Sequence, residues 1–261
     1  MTDIRVLTYG EYANKRWFKP TDFRFAASDR TVPIGFSEVP QAMLSLPLGF
    51  IKVEQSYQTV IVQGLLQGQN LLVDANGRWL ADYLPLLYRA YPFRLAKNPE
   101  GQYVVCADHD SGLVTDAPAG HQFFEEEKNL GKEAGAMASL LMQFETERPH
   151  MANVCQLLSD NELIEPWPIQ VQQSDGVIVV EALYRVNEKR LMELSVDALA
   201  AVRGCGGLML CYAQLLSMAH LKQLATAAQR THWANKAAVP AQKVAPLNIV
   251  DDNGILSFAN M

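Results

Sequence analysis

The chain has no cysteine pair at CxxC spacing. Its four cysteines, Cys106, Cys155, Cys205 and Cys211, are scattered along 261 residues. That layout excludes the common zinc-ribbon and thioredoxin-type arrangements, and in a reducing compartment such cysteines read as free thiols. Long apolar runs are missing too. The longest, Leu208 to Leu221, is broken by Gln214, Ser217 and His220 and is too short to span a bilayer. The opening residues MTDIRVLTYGEY lack the apolar centre of a secretory signal, so the expected location is cytoplasmic. Basic runs are absent as well. Twenty-two Lys and Arg stand against 28 Asp and Glu, for a net charge of -6, which opposes a general nucleic-acid partner. Neither a P-loop lysine nor a GxGxxG spacing is present, no fixed-period repeat appears, and no cofactor is expected.

What is present is the composition of an ordinary globular protein, 49% hydrophobic and 19% charged. The length suffices for one large domain or two intimate lobes. The stretch from Asn70 to Arg94, NLLVDANGRWLADYLPLLYRAYPFR, organises the rest. Leu71, Leu72 and Val73 read as a short strand. Asp74-Ala75-Asn76-Gly77 supplies turn chemistry, with Gly77 free to take a positive φ. Trp79, Tyr83, Leu86, Leu87 and Tyr88 recur near helical spacing, and Tyr91-Pro92-Phe93 ends the helix. The expectation is strand, turn, aromatic helix and exit strand.

Around that stretch, Trp17 and Phe18 read as anchors for an extended arm, and Phe23-Arg24-Phe25 alternates like a strand. Ser37 is placed to cap a short helix through Leu44. Leu48 to Glu54 and Thr59 to Leu66 read as strands that form a meander with the one at Asn70. Pro92 to Lys97 and Gln102 to Ala107 form a hairpin closed by Asn98-Pro99-Glu100-Gly101. Phe123 to Glu147 suits an amphipathic helix with an acidic start at Glu125-Glu126-Glu127, and Pro149 begins a second helix. Ile169 to Gln173 and Val177 to Tyr184 straddle the turn Ser174-Asp175-Gly176. Asn187 and Ser195 cap two further helices, and Leu208 to about Arg230 reads as a central helix.

The predicted fold class is therefore α+β: an antiparallel β-rich N-terminal part and a helical C-terminal part carrying an inserted β-hairpin. The expected divisions are a β-rich part over 1–120, a mainly helical part over 121–232 with a hairpin near 169–184, and an extended tail over 233–261. Strands and helices do not alternate as a doubly wound parallel sheet requires.

Several pieces stand in a fixed order along the chain: Phe25-Ala26-Ala27 with Val32-Pro33, Asn70 to Gly77 with Arg78-Trp79, Tyr83-x-Pro85, and Arg89-x-Tyr91-Pro92-Phe93. Glu165-Pro166-Trp167, Leu183-Tyr184-Arg185-Val186 with Leu191, and Tyr212 to Ser217 complete the set. In this ordered combination the chain resembles the SapC family of bacterial proteins, named from an S-layer locus. The resemblance implies no established activity and no catalytic residue set. It implies a link to surface layers, and a setting beside outer-membrane receptors and flavin-dependent halogenase-like enzymes, hence a role alongside other proteins.

Two candidate sites compete. Arg78, Trp79, Tyr83, Arg89, Tyr91 and Arg94 combine rings and guanidinium groups, the residue types enriched at interface anchors, and point to a protein or peptide partner. Large rings are core by default, and one or two of these are expected to line a groove together with the arginines. The alternative is Asp108-His109-Asp110, an acid/base or metal-dependent site for a peptide or small polar substrate, with Asp108, His109 and His121 as metal ligands. Gly204-Cys205-Gly206-Gly207 reads as a helix break with close packing, in preference to a phosphate cradle. The leading expectation is a cytoplasmic accessory protein without catalytic machinery, binding a partner that the resemblance suggests is an enzyme encoded nearby.

Overall fold

A computed structural model describes residues 3–125, 129–173, 176–222, 224, 249–251 and 254–256. Glu126, Glu127, Ser174, Asp175, His232 and most of the expected tail lie outside the described residues.

Five antiparallel strands form the central sheet, in the order Ile164–Pro166, Tyr184–Val186, Leu48–Val53, Ser56–Val62 and Thr31–Pro33. The hairpin of Leu48–Val53 and Ser56–Val62 is its spine, in register from Leu48 opposite Ile61 to Val53 opposite Ser56. Val60, Ile61 and Val62 are all buried, so this end of the strand is covered on both faces, and its β-branched run fits that setting. A second sheet pairs Phe93–Lys97 with Tyr103–Asp108 and adds Ile4–Val6 at the far edge. A small third sheet places Arg16–Trp17 between Val114–Thr115 and His121–Gln122. Gly176–Val179, Gln170–Gln173, Ile249–Asp251 and Gly254–Leu256 form a fourth, which draws a piece of the tail against the expected hairpin. The antiparallel β-rich N-terminal part and the helical C-terminal part with its hairpin are as the sequence indicates.

Two apolar clusters make the core. The larger joins the central sheet to Met151, Val154, Cys155 and Leu158 and to Leu210, Cys211 and Ala213. The smaller gathers Tyr12, Trp17, Phe93 and Phe123 against Ala134, Met137, Leu141 and Phe144. Trp17 is fully buried, edge-on to Phe93 with ring centroids 4.6 Å apart, so it anchors the N-terminal arm as expected. Phe18, its expected co-anchor, is exposed.

One helix, Lys132–Asp160, spans both clusters and contains Pro149 in its interior. Two helices were expected here; there is one. An interior proline removes a backbone donor and costs about 3 kcal/mol. The apolar residues before it enter the smaller cluster and those after it enter the larger. Met137, Leu141, Phe144, Met151, Val154 and Leu158, at about 1.5–3 kcal/mol each for full burial, outweigh that cost. The helix also starts later than expected. Phe124 and Leu130 form an isolated bridge, and Glu125 reaches forward to accept a 2.8 Å bond from the Lys132 N–H.

Other local expectations are corrected. Arg24–Ala26 is a 3₁₀ turn and not a strand, because Phe23 and Ala26 both turn into the core. Ser37 lies inside the 3₁₀ turn Phe36–Glu38, and the N–H at its start, on Gly35, is satisfied by the Glu38 side chain. Leu71 to Val73 do not form a third strand of the meander. Their order comes from single bonds, Leu71 N–H to Gln63 and the Val73–Trp79 bridge. The aromatic helix shrinks to the single turn Leu86–Arg89, since the chain bends at Ala81 and Asp82 and Pro85 precedes the turn.

Asn187 accepts a cap bond from Arg190 N–H and Ser195 one from Ala198 N–H, both as expected. Val196–Gly204 and the helical stretch Gly207–His220 meet at 86° across the glycine break. Gly206 takes φ +80°, and a Cβ there would lie 2.6 Å from the Phe36 ring. No single described helix is long and apolar enough to cross a membrane.

Candidate functional site

The candidate surface begins at the turn after Val73. Asp74 Oδ1 accepts from the N–H groups of Asn76 (2.9 Å) and Arg78 (2.8 Å), the local bonding that turn letters supply. Trp79 is half-buried, its ring packed near Phe23 and Tyr88, and its Nε1 donates to the Tyr83 carbonyl at 2.9 Å. Tyr83 donates its hydroxyl to Glu38 Oε1 at 2.7 Å, and the Leu86 N–H reaches the same oxygen at 2.8 Å. Glu38 Oε2 takes the Gly35 N–H at 2.9 Å. A carboxylate only 4% exposed thus collects three donors and pins the aromatic segment to the 3₁₀ turn. Burial, and then the Glu38 charge, push the Tyr83 phenol well above its ordinary range.

The next two tyrosines are buried. The Tyr88 hydroxyl lies 2.9 Å from Asp29 Oδ2 and 3.0 Å from Gln63 Oε1. Tyr91 stacks on Phe25, with ring centroids 3.9 Å apart, and donates to Asp108 Oδ2 at 3.1 Å. Burial, then Asp108, push its phenol up to about 12. The rings of this stretch are therefore spent mainly on the interior. Its guanidinium groups are not. Arg78, Arg89 and Arg94 are exposed and form no ion pair with a described residue. Arg89 sits 5.9 Å from the Tyr83 ring centroid, in reach of a cation–π contact.

The alternative cluster adjoins the same segment through Tyr91. Asp108 closes the strand Tyr103–Asp108, is 1% exposed, and accepts from both Tyr91 and the Asp110 N–H. Asp110 takes the Asp3 N–H at 3.1 Å, which ties down the first strand. His109 lies edge-on to Tyr12 and 3.9 Å from Glu11. His121 instead packs on Trp17, with ring centroids 5.1 Å apart. Among the described residues no group of three or more His, Cys, Asp or Glu side chains is arranged to hold a metal ion. Asp108, His109 and His121 are accordingly not brought together as a ligand set.

Glu38 is the residue that sequence reasoning missed as a centre of this region. Its one local signal is the three-residue spacing from Gly35, which suits a side chain reaching back to an N-terminal N–H. The Tyr83 and Leu86 partners carry no signal at all, being 45 and 48 residues away.

No curated protein and no solved structure matches the chain. The SapC family model does, over residues 7–224, which takes in the central sheet, the aromatic segment and the helix Gly207–Ser217. With most of its length so matched, the chain belongs to the SapC family.

Proposed function

We propose that this SapC-family chain is a cytoplasmic accessory protein that holds a protein or peptide partner through the surface at residues 78–94. Arg78, Arg89 and Arg94 are its outward anchors, with the half-buried rings of Trp79 and Tyr83 beside them. One observation carries the reading: three exposed guanidinium groups without a described ion-pair partner stand on a segment held rigid by Glu38 and Asp108. Arginine forks presented on a fixed backbone lose little entropy on binding, which favours a partner with carboxylates at the matching positions.

The test is capture from lysate of the native cells by the purified chain, compared with Arg78→Ala and Arg89→Ala. Both variants remove exposed groups, so folding should be retained and capture weakened. Equal capture by folded variants overturns the assignment. Trp79→Ala is a poorer probe, because it also empties a packed position against Phe23 and Tyr88.

A further inference from the structure

A cavity of about 390 Å³ is lined by the polar residues Ser28, Asp29, Arg30, Thr31, Lys52 and Gln67 together with Ile51, Ala182 and Leu183. Its size falls within the usual range of small-molecule sites, about 300–1,000 Å³. Four separate parts of the chain meet there: the lead into the strand Thr31–Pro33, the strand Leu48–Val53, Gln67 after the strand Ser56–Val62, and the loop before Tyr184–Val186.

Arg30 is the unusual group. Its carbonyl accepts from the Gln63 and Gly64 N–H groups, which fixes its backbone. One guanidinium nitrogen donates to the Glu181 carbonyl at 2.7 Å, while Nε is buried with no hydrogen-bond partner. No described carboxylate forms an ion pair with it. Burial lowers its pKa, as expected for a cation that has lost water without gaining a counter-charge. Lys52 supplies a second cation at the wall, and Ser28 and Thr31 supply hydroxyl groups. The one acid, Asp29, accepts from the Tyr88 hydroxyl. Ala182, at the rim, holds φ +61°, a left-handed conformation that costs a non-glycine residue energy and that recurs at binding sites.

We propose that this cavity binds a small oxyanion, a carboxylate or phosphate group, with Arg30 as the fork that grips it and Lys52 as the second charge. The planar guanidinium, tethered through one nitrogen to the Glu181 carbonyl, is held in place to offer its remaining N–H donors to such a group. The cavity's lining shares no residue with 78–94 and none of Arg78, Arg89 and Arg94, so its failure leaves the partner-binding reading standing.

The experiment titrates the full chain with inorganic phosphate and, separately, with succinate, at ionic strength held constant with sodium chloride. Melting temperature and calorimetric heat are both read. A saturable rise in at least one arm is expected, and the arm that responds tells phosphate from carboxylate recognition. Arg30→Gln should weaken binding roughly tenfold or more, the worth of one charge-assisted hydrogen bond. Should Arg30→Gln fail to fold, Lys52→Gln, which alters an exposed side chain, decides by a several-fold loss. Absence of any response beyond the chloride control, or equal binding by the folded variants, overturns the proposal.

Discussion

Tyr83 and Glu38, 45 residues apart in sequence, meet at 2.7 Å through the phenol hydroxyl and a carboxylate oxygen. The same carboxylate takes the N–H groups of Leu86 and Gly35, so one buried side chain terminates a 3₁₀ turn and orders the segment that carries the three exposed arginines.

Removing either partner should have unequal effects. Glu38→Ala leaves three donors without an acceptor, and at about 1–3 kcal/mol per buried unsatisfied group the loss should be about 3 kcal/mol or more. Glu38→Gln keeps one oxygen but turns an amide N–H₂ toward a donor, so an intermediate loss is expected. Tyr83→Phe leaves both backbone donors paired and should cost about 1 kcal/mol. Urea midpoints of the three variants check the order. A Tyr83→Phe loss as large as that of Glu38→Ala would show that the carboxylate is not the hub.

Stability should fall in alkali. Tyr83, Tyr88 and Tyr91 all have phenols raised by burial and by a neighbouring acceptor. The unfolded chain releases these protons near pH 10, about the ordinary tyrosine value, while the folded chain holds them. The folded state then binds more protons than the unfolded one, so the unfolding free energy declines as pH rises. For Tyr91 the contribution is complete below about pH 10 and is lost toward about 12. Denaturant midpoints taken from about pH 8 to about pH 12 should drop over the upper half of that window, and Tyr91→Phe should remove part of the drop. An unchanged slope in that variant would contradict the burial of its hydroxyl.

Two glycines with the same backbone conformation should respond differently to alanine. Gly77 has φ +79° and Gly101 φ +80°. A Cβ at Gly77 would lie 2.1 Å from Asp22 Oδ1, whereas at Gly101 nothing stands within 4 Å. Gly101→Ala should therefore cost about 1 kcal/mol, the left-handed penalty alone. Gly77→Ala should cost clearly more, since Asp22 must move and its bonds to Arg24 are disturbed. Thermal melts of both variants compare them directly, and equal losses would refute the steric argument.

Much of the architecture was legible from local patterns. The Leu48–Val53 and Ser56–Val62 hairpin follows from apolar, β-branched runs, and the Phe93–Lys97 and Tyr103–Asp108 hairpin from a loop whose Asn98 and Gly101 bond as turn residues do. The caps at Asn187 and Ser195 sit where their letters placed them. Helical spacing misled at Trp79 to Tyr88, because those rings are fixed by partners from distant segments and not by a helix of their own. The Pro149 break failed for a related reason, since packing on both sides overrides a local backbone cost.

By itself, the order of residues determined the α+β class, the turns and caps, and the membership in the SapC family that the family match establishes. These depend on contacts within a few positions, or on pieces that keep their order along the chain. Only the tertiary structure decided which rings turn inward, that Glu38 orders the aromatic segment, and that Arg30 and Lys52 face one cavity. It also set Gln214 between the Leu48 carbonyl and the Val186 N–H, closing two strands that share only the Tyr184–Phe50 pair. Such placements belong to side chains that satisfy buried polar groups across long separations, and no local pattern encodes which distant group will be there.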